Sequence, residues 1–384
     1  MTSSRTRRRW GTATALAACL AASACGNAPT RTTTPAASGS AGGASAATAT
    51  SAAALGGMEG LITAAKAEGA LNVIALPPDW TNYDEVISTF ETKYGIKVNS
   101  AQPDGSSQDE INAANQLKGT DRAPDVFDLG PTVASANTAL FAPYKVSTFD
   151  DVPADLKDPE GRYVSDYGGF MSIGYNADKV PAPTSVADLL KPEYKGKVAL
   201  NGDPTTAGAA FSGVVMAALG NGGSADDVKP GVDFFGQLKK AGNFLPVDPT
   251  PATISSGQTA VVIDWDYTNA AQTEALAGKA DWKVLVPEGA VVGSYYVQAI
   301  NAGAPHPAAA RLWEEFLYSD EGQNLWLKGY GRPVREDAMV EAGTIDQAAY
   351  AKLPQAQGDA VFLTEEQSAK ATEYLKANFA KAVS

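Results

Sequence analysis

Residues Ala70–Ser100 read ALNVIALPPDWTNYDEVISTFETKYGIKVNS, and the change of period within this stretch sets the fold class. ALNVIAL is a short apolar run stopped by PPDW, the pattern of a buried strand. DEVISTFETKYG then places Val86, Ile87, Phe90 and Tyr94 at helical spacing and closes on Gly95, which suits a left-handed C-terminal cap. IKVNS returns to strand. The alternation continues with the helix DEINAANQL, the strands PDVFDLG and KVALNGD, and helices around Phe211–Leu219 and Val232–Lys240. The strands AVVIDWDY and SYYVQAI follow, and Pro305 and Pro307 lead into the helix AAARLWEEFLYS. Strands alternating with helices predict an α/β chain whose sheets are mostly parallel and covered on both faces.

The chain has 384 residues, enough for two domains of ordinary size at roughly 100–200 residues each. His306 is the only histidine, and it stands in APHP, a helix-opening turn. A multi-histidine zinc site is thereby excluded, and a Ser-His-Asp hydrolase, which would have to use this one histidine, almost so. Both cysteines, Cys19 and Cys25, lie near the start, so no disulfide, thiol nucleophile or thiolate metal site is expected in the body. No cofactor, resident metal or catalytic residue is expected.

The beginning reads as a targeting segment. Arg5, Arg7, Arg8 and Arg9 precede a small, apolar stretch from Trp10 to Ala24, which falls short of the roughly 20 residues a bilayer crossing needs. Small residues before a cysteine resemble a bacterial lipobox. LAAC ends at Cys19 and ASAC at Cys25; the second leaves a full-length apolar region, so Cys25 is the expected lipidated residue and residues 1–24 the signal peptide. Cleavage there removes four arginines and moves the net charge from −13 to −17. Such a surface repels nucleic acid and anionic lipid. Residues 25–57 then carry a single charge, Arg31, among Ala, Ser, Thr, Gly and Pro, and are expected to form a flexible tether.

In open α/β sheets ligands bind beyond the carboxyl ends of strands, and those ends carry unusual residues here. They are Asp79, Trp80, Asn82 and Tyr83 after the first strand; Asp128, Pro131 and Thr132 after PDVFDLG; Asn201, Gly202 and Asp203 after KVAL; and Asp264, Trp265, Asp266 and Tyr267 after AVVI. Period-2 alternation puts Asp264 and Asp266 on one side of their strand and Trp265 and Tyr267 on the other. Carboxylates and aromatic faces together suit a small cation, by charge-assisted hydrogen bonds and by cation–π attraction of roughly 0.5–2 kcal/mol per ring. Plainer roles stay open: Asp128 and Asp203 as caps, Trp80 as core packing, Asp264 and Asp266 as a solvated strand end. Two carboxylates around a tryptophan also admit a secreted glycoside hydrolase, but closeness in sequence does not place two carboxyl groups about a scissile bond. Gly220–Gly223 lacks the spacing and lysine of a phosphate loop and reads as a helix stop.

From about Leu71 to Met339 the chain resembles bacterial extracellular solute-binding proteins, the receptors of ABC importers. The resemblance rests on DWTNY followed by F-x-x-K-Y-G-I-K-V, on MSIGYN, on ADLLKPEYKGKVAL and on APHPAAARLWEEFLYSDEGQ. It is closest to the polyamine-binding branch, whose W-x-x-Y motif maps to Trp80 and Tyr83, with a later carboxylate at Asp203 and a tryptophan at Trp265. Where that branch has an amine-binding aspartate, this chain has Tyr296, beside Tyr295; Asp264 or Asp266 would compensate. Ferric-ion-binding relatives use tyrosines, but their adjacent pair would fall at DWDY, where only Tyr267 stands. A phosphonate or other zwitterion is a further alternative, since helix N-termini after these strands hold anionic groups.

The resemblance implies a type II periplasmic-binding-protein fold with the ligand cleft between two lobes. Lobe 1 is expected to hold residues 58–168 and 269–330, and lobe 2 residues 169–268 and 331–384, with crossings near Gly169 and Thr268. The expected protein is a monomeric, lipid-anchored, extracytoplasmic or periplasmic receptor without enzymatic activity that hands a small solute to a membrane permease. Its expected ligand residues are Asp79, Trp80, Tyr83, Thr132, Asp203, Asp264, Trp265, Asp266 and Tyr296.

Overall fold

A computed structural model describes residues 45–384 apart from Asp79. The signal segment, Cys19, Cys25 and the tether up to residue 44 lie outside the described residues. The opening stretch folds as its pattern predicts: β1 (Ala70–Ile74) pairs in parallel with β2 (Lys97–Ala101) across α2 (Tyr83–Tyr94). Tyr83, Val86, Phe90 and Tyr94 form the buried face of that helix, and Gly95 ends it at φ 69°.

The remaining elements follow in chain order, after α1 (Gly57–Glu68) at the start. They are α3 (Ser107–Gln116), β3 (Val126–Leu129), α4 (Pro131–Ala136), β4 (Phe141–Ala142), β5 (Val164–Asn176), β6 (Val198–Leu200), α5 (Gly208–Leu219) and α6 (Lys229–Ala241). Next come α7 (Pro251–Ser255), β7 (Val261–Trp265), α8 (Asp266–Ala275), β8 (Trp282–Leu285), β9 (Gly293–Asn301) and α9 (Pro307–Leu317). The chain closes with α10 (Asp320–Lys328), β10 (Arg332–Pro333), α11 (Glu336–Ala342), α12 (Gln347–Tyr350) and α13 (Glu365–Ala382).

The α/β expectation holds, but the pairing is not mostly parallel. Only β1 with β2 and β6 with β7 run parallel. β3 and β4 on β9, and β7, β8, β9 and β10 on β5, are antiparallel. The cause is the route of the chain. β5 is a single strand whose first half carries Val164 and Tyr167 into one core and whose second half carries Met171 and Ile173 into another. The four strands that pair with it, β7, β8, β9 and β10, all run against it.

The first core gathers Leu71, Val73, Val86 and Phe90 with Trp313, Phe316 and Trp326; the second gathers Val198, Val214, Phe234, Ile263, Val292 and Phe379. Ala270, Ala290 and Val292 pack with the second core, and Leu276 and Trp282 pack on Val262 of β7. Residues 269–292 therefore lie with the second core, not the first, because β8 pairs with the second half of β5. The return crossing is at the start of β9 near Gly293 and not near Thr268. Val334, just past β10, packs in the first core.

The expected tether also ends earlier. Ala49 and Ala52 are buried, and Arg311 on α9 donates to the carbonyls of Ala49 (2.8 Å) and Ala47 (3.1 Å). A buried guanidinium needs acceptors, and this N-terminal segment supplies them. His306 sits at the start of α9, its backbone N–H and Nδ1 both on Asp125, in keeping with a structural role.

Candidate functional site

The loop between β1 and α2 is bent by three residues in the left-handed region, Ala75 (φ 57°), Thr81 (φ 42°) and Asn82 (φ 68°). Asparagine accepts this conformation; a β-branched threonine does so only under strain, held by its surroundings. Here the surroundings are Gly329 and Gly331: a Cβ on Gly329 would lie 2.6 Å from the Thr81 carbonyl carbon. The bend aims Trp80 into the seam, where it packs against both cores.

Around that indole the two cores bring aromatic rings together. It makes T-shaped pairs with Tyr267 of α8 at 5.6 Å and Tyr296 of β9 at 5.9 Å, and its Nε1 donates to the Tyr167 hydroxyl at 2.7 Å. Tyr167 stacks on Tyr296 (5.5 Å, 12°), and Tyr267 stacks on Trp265 (6.1 Å, 12°). Trp80, Tyr167 and Tyr296 come from the first-core side, Trp265 and Tyr267 from the second. Trp80 and Tyr296 keep partial exposure, whereas Tyr167, Trp265 and Tyr267 are buried. Burial pushes the Tyr167, Tyr267 and Tyr296 phenols above their ordinary value, and the neighbouring acids push the same way.

Carboxylates lie behind this wall. Asp128 accepts from the Tyr83 hydroxyl (2.8 Å) and the Tyr167 hydroxyl (3.2 Å) on one oxygen. Its backbone N–H donates to Glu110 of α3 at 3.0 Å. Gln298 donates to the Tyr83 hydroxyl (3.2 Å) and to Asp166 (2.8 Å). Burial raises the Asp128 carboxyl to about 7, although both tyrosine hydrogen bonds oppose it. On the second side Asp264 accepts from the Trp265 N–H and from Asn201, each at 2.8 Å, and burial raises it to about 7.

Asp266 does different work. It is fully buried, its Oδ1 accepts the Phe170 N–H at 3.0 Å, and its Oδ2 lies 3.5 Å from the Arg332 guanidinium, which stacks over Phe170 at 4.6 Å. Burial raises its carboxyl to about 6, with Arg332 the main opposing influence. A Cβ on Gly169 would lie 2.3 Å from Asp266 Oδ1 and 2.6 Å from Tyr267 Cδ1. Asp266 thus clamps the crossing of β5.

The sequence-predicted residues separate accordingly. Trp80 and Tyr296 meet at the seam, Trp265 reaches it through Tyr267, Asp264 precedes Trp265, and Tyr83 lies behind, holding Asp128. Asp266 belongs to the clamp. Thr132 is exposed on α4, and Asp203 is an exposed turn residue whose Oδ1 accepts from the Thr205 N–H (2.8 Å) and hydroxyl (2.7 Å). The capping alternative fits Asp203 and does not fit Asp128, which stays inside its strand. Asp79 lies outside the described residues. The expected strand alternation stops at Trp265, since α8 begins with Asp266; Trp265 and Tyr267 still stack, while the two aspartates turn to different partners. Tyr167, Glu110 and Arg332 are additions. For Tyr167 the signal was present in DYGGF, where paired glycines mark a close approach of backbone to side chains.

The profile of the bacterial extracellular solute-binding proteins matches residues 125–356, more than half of the chain. The chain belongs to that family. This solute-binding protein is 25% identical over 215 residues to the "Probable ABC transporter periplasmic-binding protein y4fP" of Sinorhizobium fredii, a match spanning 54% of this chain and 59% of that relative's length. Three solved structures share its fold. Iron-bound HitA of Pseudomonas aeruginosa is 19% identical with a TM-score of 0.59, covering 82% of this chain and 99% of that one. AgtB of A. tumefaciens R10 with agropinic acid is 17% identical with a TM-score of 0.61, covering 82% and 98%. AfuA of Actinobacillus pleuropneumoniae with fructose-6-phosphate is 17% identical with a TM-score of 0.59, covering 82% and 97%. The fold is the type II periplasmic-binding fold, and it serves ligands as different as a metal ion, an organic acid and a sugar phosphate. Among the described residues of this solute-binding protein no helix is long and apolar enough to cross a membrane.

Proposed function

We propose that this protein is the receptor of an ABC importer, capturing a small organic cation of the polyamine class between its two lobes and passing it to a membrane permease. One observation carries the ligand class: an indole edged by two tyrosines, with buried carboxylates behind it and no basic side chain hydrogen-bonded to Asp128 or Asp264 among the described residues. Ring faces attract ammonium groups, and a site without its own cation favours a positively charged guest. The family name and the ABC-transporter relative support the receptor role. Closure would follow from a ligand touching residues of both cores, which favours the form in which both touch it at once. The protein would act by binding and release, anchored outside the membrane through Cys25 and working as a monomer.

The ferric reading retains Tyr267 and Tyr296 as oxygen donors, both against Trp80. Isothermal titration of the purified protein with putrescine, spermidine and ferric citrate separates the readings. One-to-one binding of an amine at micromolar or tighter affinity is expected. Ferric binding with amine silence would assign the site to the tyrosines, and turnover of glycosides in a substrate panel would refute the receptor role.

A further inference from the structure

Two buried carboxylate oxygens beside the aromatic wall have no partner: Asp128 Oδ1 and Glu110 Oε1. Both side chains are more than nine-tenths buried, Asp128 at 7% exposure and Glu110 at 1%. A third buried oxygen without a partner, the Tyr267 hydroxyl, comes from the other core, and its ring stands against Trp80 and Tyr167. Unsatisfied buried polar atoms are costly and uncommon. Their convergence from α3, β3 and α8 on one seam marks a place completed by something positively charged or hydrogen-bond donating.

We propose that Asp128, backed by Glu110, is the charge anchor of the cleft, holding one proton in the empty receptor and releasing it to solvent when a protonated amine takes its place. The exchange conserves charge, since one H⁺ leaves for each ammonium that arrives, and no bond of the ligand changes. The inference rests on the organic-cation reading and adds the residue and the coupling. The groups around Asp128 are Glu110 from α3, Tyr83 from α2, Asp166 and Tyr167 from β5, Tyr296 and Gln298 from β9 and Tyr267 from α8, with Glu314 and Tyr318 at the end of α9. Each is acidic or neutral. Burial raises the carboxyls of Asp128, Glu110 and Asp166, and the acids raise one another, which agrees with an acidic cluster that has no cation of its own. Trp80 links the cluster to the seam, because its indole N–H donates to the same Tyr167 hydroxyl that donates to Asp128.

The test is calorimetric titration of the full protein with spermidine at pH 5, 6, 7 and 8 in buffers of different ionisation enthalpy. The buffer dependence of the heat counts protons released. The expected result is close to one proton per spermidine at pH 6 and little release at pH 8, with affinity rising about tenfold from pH 5 to 6 and flattening above 7. Asp128→Asn should abolish the release and make the affinity insensitive to pH, whereas Asp264→Asn should keep the release. Binding without proton release, or release that survives Asp128→Asn, overturns the proposal while leaving the cation reading intact. Silence of the amine overturns both. If Asp128→Asn does not fold, the buffer dependence of the unaltered protein decides.

Discussion

Asp264 offers a quantitative check on the electrostatics of the seam, through the substitution Asp264→Asn. The carboxyl is buried at 2% exposure, and its folded value of about 7 stands well above the ordinary 3.8. Because the folded value is raised, the native state holds a proton that the unfolded chain has lost between about pH 4 and pH 7. Stability therefore falls as pH rises through that window. At about 1.4 kcal/mol per unit, the shift of roughly three units corresponds to about 4 kcal/mol. Asparagine carries no such proton and suffers no such loss. Its carbonyl can still accept the Trp265 N–H, and half-exposed Asn201 can turn its amide to accept from the new NH₂, so the change in hydrogen bonding is a pH-independent offset. Urea unfolding of both proteins at intervals from pH 4 to pH 8 isolates the pH-dependent part. The asparagine variant should gain on the unaltered protein by about 4 kcal/mol across the range, nearly all of it below pH 7.5. Parallel stability curves would show that Asp264 is not held neutral by burial, and the account of the seam would fail.

Arg332→Met leaves the Asp266 carboxylate buried without its counter-charge, and a loss of about 3–5 kcal/mol at pH 7 is expected by chemical denaturation. The loss should shrink at pH 5, below the Asp266 value of about 6, where that carboxyl is already protonated. Asp203→Ala should cost about 1 kcal/mol through its lost turn hydrogen bonds and change spermidine affinity less than twofold; a tenfold loss would return Asp203 to the site. Trp80→Ala removes the ring that both tyrosines pack against and should weaken spermidine binding about tenfold or more, with Trp80→Phe intermediate. Equal affinity of all three proteins would show that the indole is packing alone.

What the sequence could tell depended on the range of the interactions involved. Strand and helix periods are local, so β1, α2 and β2 were readable, down to the Gly95 cap. The aromatic residues after the strands, Trp80, Trp265 and Tyr267, were also readable, and Tyr296 came from the family resemblance; Trp80, Tyr267 and Tyr296 pack at one seam, with Trp265 stacked on Tyr267. The direction of strand pairing was not, because it depends on β5 passing through both cores, which no local pattern encodes. Nor could spacing separate Asp203 from Asp128: each follows an apolar run, yet one is an exposed turn residue and the other lies buried under two phenols. The difference is made by Tyr83 and Tyr167, which stand 45 and 39 positions away. Asp266 and Asp264 were equivalent by alternation and became distinct only when Arg332, 66 positions on, came up beside one of them.

The shared strand has a mechanical meaning. β5 is laddered to β9 and β10 over its first half and to β7 and β8 over its second, and its register slips between Ser165 and Gly168, just before the Gly168–Gly169 pair. Gly168 and Gly169 are themselves laddered to Tyr295 and Ser294 of β9, so a rotation of one core against the other would have to twist the ladder there, at the two positions of the strand that bring no side chains to resist it. Such a joint would act as a torsion spring, its rest angle written in the backbone and its stiffness tuned by whatever presses on it from outside. Asp266 and Tyr267 press on it at Gly169, so the residues that frame the aromatic seam also set the tension of the spring that would open it.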